Sequence, residues 1–194
     1  MPVPILLKRH RLFTERWAIF ISGRGSNLSC LLNGPQSEKI RVVVSSTEKA
    51  LGVLRARRAG IPVIILPRPI QWTELDQELK RRGINRIFLL GFMRVIPEHF
   101  VEAWQRKIVN LHPSLLPKYP GLESIERSFT DRADMGVTVH EVVAEVDAGK
   151  TILQRRCLSS QEIPEYSLPN AEFKVHIDEQ RLVEEAFLRW RRHP

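Results

Sequence analysis

The chain has 194 residues, 43% of them hydrophobic and 27% charged, with a formal net charge of +8 and a pI near 10.0. That length and balance give enough apolar surface for a proper core and exclude a disordered polyelectrolyte, and no apolar run reaches the length of a membrane span. The positive charge suits either a nucleic acid or anionic small molecules, but Arg55, Arg57, Arg58, Arg81, Arg82, Arg189, Arg191 and Arg192 are scattered without interleaved aromatics, which argues for solvated helix faces and against a nucleic-acid partner. The two cysteines, Cys30 and Cys157, have no metal-binding spacing and read as buried, reduced thiols of a cytoplasmic protein. Apolar residues at the N-terminus precede Lys8-Arg9-His10-Arg11, the reverse of a secretory signal, so no export is expected.

Residues 1–16 read as an N-terminal extension and residues 17–194 as one domain. Trp17 to Ile21 is continuously apolar and predicts a buried strand. Ser22-Gly-Arg-Gly-Ser-Asn-Leu28 follows, then a helix through Leu32. A strand, a glycine turn and a helix N-terminus can present backbone N–H groups to an anion, with Gly25, Ser26 and Asn27 as candidate contacts. The spacing matches neither the dinucleotide fingerprint nor the P-loop, so a phosphomonoester fits better than NAD or ATP. A tight turn with a serine cap fits the same residues. Further strands are predicted at Ile40–Val44, Pro62–Leu66, Arg86–Leu90 and Lys107–Asn110. Helices are predicted at Ala50–Ala59, closed by Gly60, at Thr73–Arg82, stopped by Gly83, and from Pro97 to about Gln105. The alternation predicts an α/β fold with a Rossmann-like, doubly wound, mostly parallel sheet.

Asn110-Leu-His-Pro-Ser-Leu-Leu-Pro-Lys-Tyr-Pro-Gly121 breaks this pattern. Prolines at 113, 117 and 120 forbid regular structure, so a strand is expected to end at Asn110, at the carboxyl end of the sheet where ligands bind in open α/β folds. Asn110 and His112 are two apart and can project to one side of an extended chain, an amide donor beside an imidazole. A rigid turn with an incidental histidine is the plainer reading. Gly136–Val143 and Thr151–Cys157 alternate like paired strands, which would extend the sheet in antiparallel fashion. The turn Ala144-Glu-Val-Asp-Ala-Gly149 between them could return Asp147 toward His112. A C-terminal helix is predicted from an Asn170 cap to about Trp190, with His176 and Glu179 three apart on its flank, where a solvated salt bridge is the ordinary role.

Four segments in this order resemble the phosphoribosylglycinamide formyltransferases: Ser22-Gly-Arg-Gly-Ser-Asn27, Gly91-Phe-Met-Arg-Val95, the 110–122 proline segment, and Val139-His-x5-Val-Asp-Ala-Gly149 with Ile152-Leu-Gln154. The likeness covers roughly residues 17–190. It implies the formyltransferase fold and transfer of a formyl group from 10-formyltetrahydrofolate, as cosubstrate, to the amine of glycinamide ribonucleotide, without a metal. Asn110, His112 and Asp147 would then be catalytic. The first two would donate to the formyl oxygen, and Asp147 would favour imidazolium at His112 and relay the amine's proton through a water. Met93, Arg94, Val95 and Ile96, with Val143, Ala144, Glu145 and Val146, would bind the folate. Gly25, Ser26 and Asn27 would hold the substrate phosphate, and His176 and Glu179 the rest of the ribonucleotide. The partners implied are these small molecules, with no membrane, in a monomer or homodimer. A formyltetrahydrofolate hydrolase would be expected to carry a further N-terminal domain.

The chain departs from that pattern at several places. Glu123 and Ile125 stand where two histidines are usual, Trp72 where an arginine is, and Gln180 where a histidine is frequent. Ser45-Ser46 replaces Ser-Asn, and Gly149-Lys-Thr151 replaces Gly-Pro-Ile. These losses raise two further readings: a divergent formyltransferase acting on another amine, or a weakened paralogue that binds folate or nucleotide without efficient turnover.

Overall fold

The computed structural model describes residues 15–189, so the N-terminal extension, apart from Glu15 and Arg16, and the expected helix end at Trp190 lie outside the described residues. In chain order the elements are β1 (Trp17–Ile21), α1 (Ser26–Asn33), β2 (Ile40–Ser45), α2 (Leu51–Arg58), β3 (Val63–Ile65), α3 (Trp72–Arg81) and β4 (Arg86–Leu89). There follow α4 (Glu98–Ala103), β5 (Ile108–His112), α5 (Ser124–Thr130), β6 (Met135–Glu141), β7 (Thr151–Leu158) and α6 (Leu168–Arg189). One seven-stranded sheet has the order β3-β2-β1-β4-β5-β6-β7. The first five strands are parallel, and β6 and β7 add antiparallel to β5. The Rossmann-like sheet with an antiparallel extension and a C-terminal helix is therefore as expected.

Helices cover both faces of the sheet, which is why its central strands read as unbroken apolar runs. In β1, Trp17, Ile19 and Ile21 face one cluster with Phe88, Val109, Val137 and the α6 residues Val175, Leu182 and Phe187. Ala18 and Phe20 face the other, with Val42, Ile87, Ile108 and, from α3 and α4, Leu75, Leu79 and Phe100. Strand alternation thus divides one apolar run between two cores.

Most element ends fall within two residues of expectation; two boundaries and one further helix have a physical reason for differing. β5 runs past Asn110 to His112, because β6 pairs with it and His112 meets Thr138 across the ladder. The C-terminal helix begins at Leu168 and not at Asn170: Pro169 sits in its first turn, where no N–H is needed, and the Ser167 carbonyl accepts the Ala171 N–H. Helix α5 was not expected. Its buried residues are Ser124, Ile125 and Ser128, a face too polar to show a helical apolar period. Among the described residues no helix is long and apolar enough to cross a membrane. Cys30 and Cys157 are free thiols, both pushed up to about 12 by burial first, but only Cys157 is buried; Cys30 is half-buried.

Candidate active site

Where the strand order reverses, between β1 and β4, the carboxyl ends of the strands open onto a crevice. The loop after β1 enters α1 through Gly25, whose φ of 69° is left-handed. No side chain caps α1, so the serine-cap alternative fails and the first-turn N–H groups stay available. A second glycine holds this loop in place. Gly52, at the start of α2, donates its N–H to the Gly23 carbonyl at 3.1 Å. A Cβ on Gly25 would lie 2.7 Å from the Gly52 Cα, so the two backbones approach as only glycines can. The β1, β2 and β4 ends are also tied together: Ser22 Oγ accepts the Met93 N–H at 2.8 Å and the Ser46 hydroxyl at 2.7 Å.

The proline segment is fixed by polar contacts to the antiparallel strands, those of Thr138 to residues 114 and 116 being buried. Thr138 Oγ1 on β6 donates to the Ser114 carbonyl at 2.6 Å and accepts the Leu116 N–H, and Gln154 on β7 donates to both Thr138 Oγ1 and the Leu116 carbonyl at 2.9 Å. Prolines thus stiffen a segment that the antiparallel strands hold. The turn after β6 needs a glycine too, because a Cβ on Gly149 would fall 1.7 Å from the Glu141 carbonyl oxygen.

With β5, β6 and this turn in place, Asp147 meets both histidines. His112 Nδ1 lies 3.3 Å from Asp147 Oδ2, and His140 Nε2 lies 3.4 Å from Oδ1. Asn110 Nδ2 is 3.1 Å from His140 Nε2 and 3.4 Å from Asp147 Oδ1. The Gly121 N–H donates to Asp147 Oδ2 at 2.8 Å. Asp147 itself has a φ of 55°, a strained backbone that an aspartate tolerates better than most residues. Burial pushes its carboxyl up, but the hydrogen bond to His140, the Gly121 N–H and the charges of His112 and His140 outweigh it and hold the group below the usual carboxylate range. His112 Nε2 is 2.9 Å from the Tyr119 carbonyl, so the ring is held between a backbone carbonyl on one side and the Asp147 carboxylate on the other.

Across the crevice, α6 closes on the glycine loop. Glu179 is only 6% exposed, and its Oε2 accepts from Asn27 Nδ2 at 3.1 Å and His176 Nδ1 at 2.9 Å. Of the pair expected to form a solvated salt bridge, His176 does stay exposed, but Glu179 is buried and ties the helix to the glycine loop through Asn27. The Glu179 hydrogen bond lifts the His176 imidazole above its usual value, against the opposing pull of burial.

All of the residues singled out in the sequence line one cleft of about 870 Å³: Gly25, Ser26, Asn27, Met93, Arg94, Val95, Ile96, Asn110, His112, Val143, Ala144, Glu145, Val146, Asp147, His176 and Glu179. Met93, Val95, Leu122, Val143, Val146 and Phe173 line it too, and these are six of the nine large apolar side chains that are exposed among the described residues. Exposed apolar surface gathered at one cleft marks a ligand site. Sequence reasoning missed His140, although it lay within a recognised motif, and its signal was its place on the same alternating face as Thr138. It also missed Phe173 and Gly52, for which no local pattern spoke. The departures fall in different places: Trp72 packs edge-on against Phe100 and Phe92 under the cleft, Ile125 is in the core, and Glu123 and Gln180 line the cleft.

A family model for formyl transferases matches residues 15–186. The phosphoribosylglycinamide formyltransferase of Haemophilus influenzae is 32% identical over 179 residues, covering 87% of this chain and 83% of that protein. The trifunctional purine biosynthetic protein adenosine-3 of Drosophila melanogaster is 38% identical over 153 residues, but the match spans only 11% of that much longer protein. Among solved structures, the phosphoribosylglycinamide formyltransferase from Bacillus halodurans superposes with a TM-score of 0.81 at 30% identity, covering 90% of this chain and 96% of that one. The fold, the motifs and these matches agree: the chain belongs to the formyl transferase family.

Proposed function

We propose that the chain transfers a formyl group from 10-formyltetrahydrofolate to the amine of glycinamide ribonucleotide. In this reading it acts as a single cytoplasmic domain over residues 17–194, in a monomer or homodimer. The observation that carries the reading is the meeting of Asn110, His112, His140 and Asp147 within 3.4 Å contacts in the same cleft as the glycine loop. Matched relatives from bacteria carry that activity in their names.

The donor supplies an activated formyl carbon. The cleft suits a flat, partly apolar ring system: Leu89, Phe92, Val95, Ile96, Val142 and Val143 give it apolar walls, and the backbones of 93–96 and 143–146 give it polar edges. The glycine loop, with Ser26 and Asn27, holds the acceptor's phosphate on the N-terminus of α1. His176 and Glu179 line the stretch of cleft beside it, and Glu179 is suited to ribose hydroxyls.

As the acceptor's amine attacks the formyl carbon, negative charge grows on the formyl oxygen. Asn110 Nδ2 and His112 are the donors placed to meet it. The His112 Nε2 proton is taken by the Tyr119 carbonyl, so the Nδ1 proton is the one shared between Asp147 and the oxygen. Asp147 faces the imidazole and, through a water, receives the proton the amine sheds; that proton then passes to the leaving nitrogen of the donor as its bond to the formyl carbon breaks, which gives the formylated amine and tetrahydrofolate and restores the carboxylate. His140 Nδ1 lies 2.8 Å from the Glu141 carbonyl, and its Nε2 lies between Asn110 Nδ2 and Asp147 Oδ1, so the ring holds the amide and the carboxylate in register.

The test is spectroscopic: deformylation of a 10-formyl folate analogue with and without glycinamide ribonucleotide. Turnover that depends on the ribonucleotide is expected. Turnover without any amine would mean hydrolysis, turnover only with a different amine would mean another acceptor, and folate binding with no turnover would mean a weakened paralogue.

A further inference from the structure

The pair His112 and Asp147 is gripped by backbone, not only by side chains. His112 Nε2 reaches the Tyr119 carbonyl at 2.9 Å, and Asp147 Oδ2 accepts the Gly121 N–H at 2.8 Å. Both partners belong to one short strap, residues 119–123. Its backbone is left-handed at three of five positions: Tyr119 at 55°, Gly121 at 76° and Glu123 at 56°. Two non-glycine residues in that region cost roughly 1–3 kcal/mol each and persist only where the surroundings hold them.

What holds them is the far side of α5. Arg127 donates from Nη2 to the Pro120 carbonyl, midway between the two gripping residues, and its guanidinium lies 5.8 Å from the centre of the Tyr119 ring. The Tyr119 hydroxyl donates to Asp131, at the end of α5, at 2.9 Å. The strap is therefore slung between the reacting pair on one side and Arg127 and Asp131 on the other. A displaced Pro120 carbonyl would carry the Tyr119 oxygen and the Gly121 N–H with it, because they flank it in the chain.

We propose that Arg127, with the Tyr119–Asp131 bond in support, is a positioning residue that sets the orientation of His112 and Asp147 through the 119–121 backbone. Its side chain is not among those that line the cleft. The inference rests on the formyl-transfer reading for its kinetic consequence, but not for its structural one. A shift of about 1 Å in a reacting group can cost up to about 100-fold in rate.

The experiment compares Arg127→Ala, Arg127→Lys and Tyr119→Phe with the parent by steady-state kinetics from pH 5.5 to 9, by thermal melting, and by NMR of the His112 ring, assigned with His112→Ala. Arg127→Ala should lower kcat by at least about tenfold, with KM for both substrates within about twofold, shift the pH profile of kcat, and speed solvent exchange of the His112 Nε2 proton. Arg127→Lys, which keeps a cation but loses the fork, should recover part of each effect. Tyr119→Phe, which keeps the carbonyl, should show a smaller effect in the same direction. An Arg127→Ala protein with the parent's kcat, pH profile and ring-proton exchange overturns the proposal, and so does a loss explained by unfolding at the assay temperature that Arg127→Lys does not recover. If the parent itself shows no formyl transfer, the functional reading fails while the ring-proton exchange still decides the strap.

Discussion

Replacing Asp147 with asparagine separates charge from shape at the centre of the site. The carboxylate lies 3.3 Å from His112 Nδ1 and 3.4 Å from His140 Nε2, with its side chain 10% exposed. At an effective dielectric of about 20, a charge pair at that distance is worth about 5 kcal/mol, and dehydrating the carboxylate offsets several of those. A net coupling of about 0.5–3 kcal/mol survives. Asparagine keeps most hydrogen bonds: its Oδ1 can accept the Gly121 N–H and its Nδ2 can donate to His140 Nε2. The fold should therefore persist, with a melting temperature lower by a few degrees at most. What disappears is the negative charge that faces His112 Nδ1 and, in the proposed reaction, the acceptor for the amine's proton. Losing one preorganised element of this kind costs about 10²–10³ in kcat, or about 2.7–4 kcal/mol. The assay is ribonucleotide-dependent deformylation for Asp147→Asn, His112→Ala and the double variant. If the two act as a unit, the double variant should be no slower than the slower single one. An Asp147→Asn enzyme within about fivefold of the parent would refute the assignment of both residues.

Three other perturbations test the frame around that centre. Gly52→Ala places a Cβ 2.5 Å from Ile21 Cδ1 and 3.3 Å from both the Gly23 carbonyl and the Gly25 Cα, so the glycine loop must shift. KM for the phosphate-bearing acceptor should rise about tenfold, within a displacement cost of about 1–3 kcal/mol, while the donor's KM holds; equal changes in both would remove the loop's assigned role. Glu179→Gln removes the main cause of the raised His176 value. A raised folded-state value gives stability that is full below the unfolded value, near 6.5, and lost as pH rises through the folded one. The variant's deficit in melting temperature should thus be larger at pH 6 than at pH 9, and a pH-independent deficit would argue against this pairing. Phe88→Ala removes a fully buried ring that lies 6.0 Å from Trp17, and should cost about 3–5 kcal/mol in denaturant unfolding without altering the cleft's ligand preference.

The parallel half of the fold was legible because its rules are local. Trp17–Ile21 and Arg86–Leu89 are apolar at every buried position, and Gly60 and Gly83, at φ of 72° and 67°, follow the helices whose ends they mark. What stayed hidden depends on partners distant in sequence. β5 lasts to His112 only because β6 supplies hydrogen bonds there, and α5 is a helix with buried serines because their hydroxyls bond to the Pro113 and Ile125 carbonyls. The same holds at the site. Asn110, His112 and Asp147 carried motif signals, whereas the burial of Glu179 follows from α6 docking on α1, which no window of sequence shows.

The substitutions at 72, 123 and 125 do not bear on the site equally. Trp72 has left polar chemistry altogether: its ring joins Phe92, Phe100 and Phe20 in an aromatic stack beneath the loop that lines the cleft, so it stiffens a wall instead of offering a charge. Ile125 is 9% exposed and packs into the core that β6 and α6 share. Glu123 alone faces the cleft, as an exposed carboxylate whose left-handed backbone starts α5. His112 and Asp147 are held by a carbonyl and an N–H of residues 119 and 121, main-chain groups that do not call for a histidine at 123 or 125. The change at 123 therefore puts on the rim a carboxylate that repels anions and attracts cations, while the backbone contact to Asp147 comes from Gly121.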